Sequence, residues 1–150
     1  MRTIPVERID TLTRSRLATV SADALLAEAA KLLSGTHISL VVVCDSGAAM
    51  VGVITKTNIV QQVGRSCDLI GAALPGDVMT RVVVACRPTD SLLDVLAMME
   101  KRGFAHIPVV GENLKPCGVV NAGDALRTLM ADEKYEAKLL RNYVMGIGYQ

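Results

Sequence analysis

The sequence predicts a mixed α/β (α+β) fold: two tandem β-α-β-β-α repeats packed face to face about a pseudo-two-fold axis. Three observations predict it: the chain duplicates itself, it carries short uninterrupted apolar runs, and these alternate with stretches apolar every three to four residues. Leu17 to Leu26 aligns with Val84 to Leu93, matching Ala18/Ala85, Asp23/Asp90, Leu25/Leu92 and Leu26/Leu93 at an offset of 67, since 90 − 23 = 67. Val42/Val109 and Val43/Val110 keep that offset, and Gly52-Val53-Ile54 then answers Gly118-Val119-Val120 at 118 − 52 = 66. The expected organisation is a first repeat at residues 10–64, a linker at 65–76, a second repeat at 77–131 and a helical tail at 132–150.

Each repeat opens on a short apolar strand, Arg16 to Val20 or Val82 to Cys86. Asp23 and Asp90 follow in turns and suit a helix N-terminus. A helix is read from Leu25, Leu26, Ala29, Ala30 and Leu33, and again from Leu92, Leu93, Leu96 and Ala97. After Gly35 or Gly103 comes a fully apolar strand, Leu40 to Val43 or Ile107 to Val110, the pattern of a sheet covered on both faces. Turns at Asp45-Ser46-Gly47 and Gly111-Glu112-Asn113 lead to third strands at Met50 to Ile54 and Gly118 to Val120. Second helices begin near Asn58 and Asp124. Gly71, Pro75 and Gly76 mark the linker, and Leu139, Leu140, Tyr143 and Val144 give the tail an apolar stripe.

Composition narrows the function. The 150 residues are 51% hydrophobic and 21% charged, with a formal charge of +1, which suits one globular body and excludes disorder. Without a basic run, and with 3% aromatic residues, nucleic-acid binding is not expected. No apolar stretch approaches the ~20 residues of a membrane span. Met1 to Glu7 lacks the apolar core of a signal peptide, so the expected location is cytoplasmic. Cys44, Cys67, Cys86 and Cys117 form no C-x-x-C pair and read as reduced core residues. Met79, Met98 and Met99 read as core filler. Two distant histidines offer no metal site. His37 heads a second His-Ile dipeptide, but 106 − 37 = 69 puts it out of register with His106, whose counterpart is read as Ser39. There is no G-x-S-x-G, no P-loop and no nucleophile beside a base, so no catalytic residue is assigned.

The polar chemistry concentrates in two turns, Gly52-Val53-Ile54-Thr55-Lys56-Thr57-Asn58 and Gly118-Val119-Val120-Asn121-Ala122-Gly123-Asp124. A carboxylate at such a helix start can accept two hydrogen bonds from the neighbouring hydroxyls of a ribose. The same residues also serve as plain helix caps, and both readings stand at this point.

Taken in order and doubled, these features resemble the cystathionine-beta-synthase-type (CBS) domain pair, or Bateman module, over residues of about 10–131. The residues that carry the likeness are the two Gly turns, Asp77-Val78-Met79-Thr80 opening the second repeat, and the strand His106-Ile107-Pro108-Val109-Val110. Leu140-Arg141-Asn142-Tyr143 adds a likeness to the small stand-alone bacterial pairs. The resemblance implies a homodimer without catalysis of its own and with no required cofactor. It also implies a regulatory adenosyl ligand: AMP, ADP, ATP, NAD(H) or S-adenosylmethionine. In the family pattern a Ser or Thr and, three residues on, an Asp hold the ribose. The first turn keeps Thr55 but has Asn58; the second keeps Asp124 but has Asn121. The expected site therefore centres on Asp124, with the base against Thr80, Val82 and the Ala105, His106, Ile107, Pro108 strand, and with Thr55 and Asn58 as the weaker mate. Ala105 and Thr57 stand where the family often places arginines near phosphates; Lys56, Lys101 and Arg102 are the nearby substitutes. A degenerate pair, serving as a dimerisation or partner-docking scaffold for an unnamed regulated protein, is the alternative.

Overall fold

The structure, a computed structural model, describes residues 3–66 and 73–132. Cys67 and the expected tail beyond Asp132 lie outside them. Strands β1 (Thr19–Ser21), β2 (Leu40–Cys44) and β3 (Met50–Thr55) form one sheet, with β1 parallel and β3 antiparallel to β2. Strands β4 (His106–Val110) and β5 (Pro116–Asn121) form a second, antiparallel sheet. A 3-10 turn at Val6–Ile9 runs into α1 (Asp10–Ser15); α2 (Leu26–Leu33) and α3 (Lys56–Ser66) complete the first repeat. After α4 (Pro75–Val78), helices α5 (Leu92–Arg102) and α6 (Ala122–Met130) flank the second sheet. No helix among the described residues is long and apolar enough to cross a membrane.

The duplication holds, but its register differs from the sequence alignment. Leu26 and Leu92 open α2 and α5; Leu40 and His106 open β2 and β4; Met50 and Pro116 open β3 and β5; Lys56 and Ala122 open α3 and α6. Each pair is 66 apart, as in 92 − 26 = 66. Both hairpins carry a bulge at corresponding places, Val43/Cys44 and Val109/Val110. The offset of 67 inferred for the earlier segments is therefore corrected to 66. The counterpart of His106 is Leu40, not Ser39. Burial explains the error: runs of Leu and Val look alike when slipped by one, whereas the face each residue presents does not. Ala29 and Leu33 face inward in α2, and Val95 and Met99 face inward in α5 at the same 66-residue spacing.

A second departure concerns the strand expected at Val82 to Cys86. Only Cys86 pairs there: its N–H donates to the Pro108 carbonyl at 3.0 Å, and the Val110 N–H donates to its carbonyl at 2.9 Å. The reason lies upstream. Thr80 exchanges two backbone hydrogen bonds with Val53 of the other sheet, at 2.8 and 3.0 Å, so residues 81–85 must cross from one sheet to the other and cannot run along either.

This crossing is one half of an exchange. The segment before each repeat packs on the other repeat. Ile4, Val6 and Ile9 enter the core of α5, α6 and the second sheet, while Met79 enters the core of α2 and the first sheet. The Leu92 N–H donates to the Ile4 carbonyl at 2.8 Å and the Leu26 N–H to the Ala73 carbonyl at 3.2 Å, so each first helix is capped by borrowed backbone. Asp23 and Asp90 are accordingly not the caps. Asp90 accepts the Arg87 N–H at 2.8 Å in the preceding turn, and Ser91 is the side chain at the N-terminus of α5, accepting from Asp94 N–H at 3.4 Å.

Two glycines permit the exchange. A Cβ on Gly52 would press on Met79 and lie 2.8 Å from the Thr80 carbonyl oxygen; one on Gly118 would lie 2.5 Å from Thr13 Oγ1. The close approach of these segments is what both third strands need Gly for. A smaller cluster of Leu40, Val42, Val53 and Val119, with Leu17 and Val83 packed on it, joins the repeats to each other.

Candidate functional site

Beside that cluster a cavity of about 170 Å³ opens to solvent. Its polar wall comes from Thr55 and Asn58, at the junction of β3 and α3, and from Thr80. Val82, Val83 and Val84 of the crossing segment form one apolar side, and Phe104, His106, Ile107 and Pro108 form the other. The crossing that shortens the second-repeat strand thus creates this wall, and 91%-exposed Val82 stands at the mouth.

The fold divides the predicted residues into two groups. Thr55, Asn58, Thr80, Val82, His106, Ile107 and Pro108 line the one cavity. Asp124 and Asn121 do not line it, and Ala105 contributes its carbonyl to the N-terminus of α6, accepting the Ala122 N–H at 2.9 Å. Placing Thr80, Val82 and His106 to Pro108 around Asp124 follows chain order, but the exchanged segment pairs Thr80 with Val53, two residues before Thr55, the turn partner of Asn58. Lys56, Lys101 and Arg102 are absent from the lining. Val83, Val84 and Phe104, which do line it, were not singled out from sequence.

In the first turn Asn58 is a hub. Its Oδ1 accepts the Thr55 N–H at 2.9 Å and the Thr55 hydroxyl at 3.0 Å, the reach-back half of a capping box. Its Nδ2 donates to the Val78 carbonyl at 3.3 Å and to Thr80 Oγ1 at 3.2 Å. The side chain therefore ties α3 to the segment arriving from the second repeat.

In the second turn the roles invert. Asn121 Oδ1 accepts the Asp124 N–H at 2.9 Å, the forward half of a cap. The carboxylate, 5% exposed, is held by cations: Arg16 Nε donates to Oδ2 at 2.6 Å and Arg16 Nη2 to Oδ1 at 3.2 Å, while Arg127 Nη2 donates to Oδ1 at 2.7 Å. Burial works to raise the Asp124 pKa, but the two guanidiniums outweigh it and hold the carboxyl below its ordinary value.

His106 connects the two turns. It lines the cavity, and its Nε2 lies 2.9 Å from Asn121 Nδ2. Because Asn121 Oδ1 faces the Asp124 N–H, its Nδ2 is the donor, which assigns His106 as neutral with Nε2 unprotonated. Burial, and then the Arg16 charge, push the His106 pKa down; the Asp124 charge acts in the opposite direction.

Residues 6–65 and 76–131 each match the family pattern of the CBS domain. The chain belongs to the CBS-domain family. A solved CBS-domain protein of Agrobacterium tumefaciens is 26% identical, with a TM-score of 0.68 over 82% of this chain and 91% of that one. The CBS domain pair of protein MJ0100, solved in complex with 5′-methylthioadenosine and S-adenosyl-L-methionine, has 22% identity and a TM-score of 0.69 over 87% of this chain and 98% of that one. Among curated relatives, a homoserine O-acetyltransferase of Methanobrevibacter ruminantium is 24% identical over 112 residues, 75% of this chain but 22% of that protein. This CBS pair thus spans less than a quarter of that relative's length.

Cys44, Cys86 and Cys117 stand apart from the cavity. Burial, followed by the charge of Asp90, pushes the Cys86 thiol up to about 12, and burial likewise raises Cys44 and Cys117. Such thiols are protonated at neutral pH and poor nucleophiles.

Proposed function

We propose that this CBS pair is a regulatory module, itself without catalysis, that holds an adenosyl ligand in the cavity lined by Asn58, Thr80 and His106. The observation that carries this reading is a cleft between duplicated units with apolar walls, three polar side chains at one end and, among the described residues, no Lys, Arg, Asp or Glu in its lining. Val82, Val83, Phe104 and Pro108 suit the two faces of a purine, while Thr80 and Asn58 offer hydroxyl and amide groups to a ribose. With no cation among the described lining residues, adenosyl compounds whose 5′ substituent is not a phosphate chain, such as 5′-methylthioadenosine or S-adenosylmethionine, are favoured over AMP, ADP, ATP or NAD(H). Occupancy would act on the packing of the two repeats, because the walls belong to both, to the extent that the ligand prefers one arrangement.

A scaffold without ligand is the second reading, and one observation favours it: Asn58 and Asp124 already have internal partners for their polar atoms. A thermal-shift series with 5′-methylthioadenosine, S-adenosylmethionine, AMP and ATP separates the two. Ligand at 100 times Kd adds about 2.7 kcal/mol of stability. The expected order places the two thio compounds above AMP and ATP. No shift with any of the four favours the scaffold.

A further inference from the structure

The 66-residue symmetry relates the turn on the open cavity to the turn that carries Asp124. Asn58 corresponds to Asp124, Thr55 to Asn121, Val53 to Val119 and His106 to Leu40. At the mouth, Val82 corresponds to Arg16, since 82 − 16 = 66. Val82 is 91% exposed and leaves its cavity open; Arg16, with a side chain 17% exposed, turns inward. Its planar guanidinium then makes the two-pronged contact with the Asp124 carboxylate that a pair of vicinal ribose hydroxyls would make. A third donor, Nη1, reaches the His37 carbonyl at 3.3 Å and fixes the plane of the group.

We infer that Arg16 is a built-in occupant of a second, Asp124-centred adenosyl site, and that it holds that site closed so that each chain takes one ligand. A ligand competing for Asp124 has to displace a charge-assisted, bidentate contact and leave the guanidinium without its partner, whereas a ligand at Asn58 displaces only neutral bonds. The adenosyl class of the ligand rests on the function proposed above; the closure by Arg16 rests on the symmetry and the ion pair.

The test is calorimetric titration of the full chain with 5′-methylthioadenosine, reading the number of sites per chain. The wild type is expected to take one, and Asn58→Ala to remove it. Arg16→Val, which installs the residue type found at the open mouth, is expected to take two. Arg127 still neutralises Asp124 in that variant; Arg16→Val combined with Asp124→Asn, which reproduces the Val82 and Asn58 arrangement, removes the buried charge altogether and is also expected to take two. Either variant, folded by circular dichroism and still at one site, overturns the inference while leaving the open cavity's reading intact. A wild type that already takes two, with the second lost in Arg16→Val, also overturns it, because Arg16 would then grip the ligand. If the wild type takes none, the reading of the open cavity fails. In that case one site gained in Arg16→Val and lost in Arg16→Val with Asp124→Ala sustains the closure, and no gain overturns it.

Discussion

The turn at Thr55 to Asn58 and the turn at Asn121 to Asp124 have the same backbone role, joining a third strand to a second helix, yet they stabilise the molecule by different means. The first is a neutral knot: one amide collects bonds from its own turn and from the arriving segment. The second is an ion cluster, with a buried carboxylate between two arginines. Identical topology therefore does not oblige identical chemistry. A neutral hub can exchange its bonds for those of a ligand at little cost, while a buried ion pair resists being opened from either side.

Truncating the two hub side chains should have unequal effects. Asp124→Ala strands Arg16 beside a vacated carboxylate and is expected to cost about 3–5 kcal/mol in urea denaturation. Asn58→Ala removes neutral bonds and is expected to cost about 1 kcal/mol. Equal losses would mean that solvent screens the Arg16–Asp124 pair as it would an exposed one.

Substitutions at the two glycines should have intermediate effects. Gly52→Ala meets the Thr80 backbone as well as Met79, and Gly118→Ala meets the Thr13 side chain first. Overpacking of this kind costs about 1–3 kcal/mol, with Gly52→Ala expected at the upper end because a carbonyl cannot rotate away. Gly52→Ala should also weaken ligand binding at Asn58, since it pushes Thr80 off the cavity wall; a variant destabilised without loss of affinity contradicts that placement.

The smallest effect concerns acid. His106 has its pKa lowered in the fold, so as pH falls through the ordinary value of 6.5 the unfolded chain takes up a proton that the folded chain refuses. Stability contributed by neutral His106 is complete above that pH and declines below it, towards the folded pKa. His106→Gln, which keeps an acceptor for Asn121 Nδ2, should flatten this limb. Asp124 acts in a separate window: its pKa is also lowered, from 3.8, so its contribution is present above that value and lost as pH falls further. Urea midpoints between pH 7 and pH 3 distinguish the two limbs.

Much of this was legible in the residues. Continuous runs such as Leu40 to Val43 could only be covered strands, and the spacing of Ala29 and Leu33, or Leu92 and Leu96, could only be one face of a helix. The polar turns were equally plain, because Thr55, Asn58, Asn121 and Asp124 follow the apolar third strands directly and recur at the same place in both repeats. The register was not. Leu25-Leu26 matches Leu92-Leu93 at both positions at 67 and at one position at 66, so residue identity favours the wrong offset and only the face turned inward corrects it. Nor did Arg16 declare itself: it lies 108 residues from Asp124, in a stretch read as the start of a strand.

What the sequence determined by itself is the duplication, the order of elements within each unit and the polar turns, because these depend on periodicity and on residues within a few positions of one another. Which polar groups share a space was decided by the tertiary structure. Exchange of the leading segments brings Thr80 to Asn58 and Arg16 to Asp124, and such pairings arise from packing between distant stretches, where no local spacing constrains them.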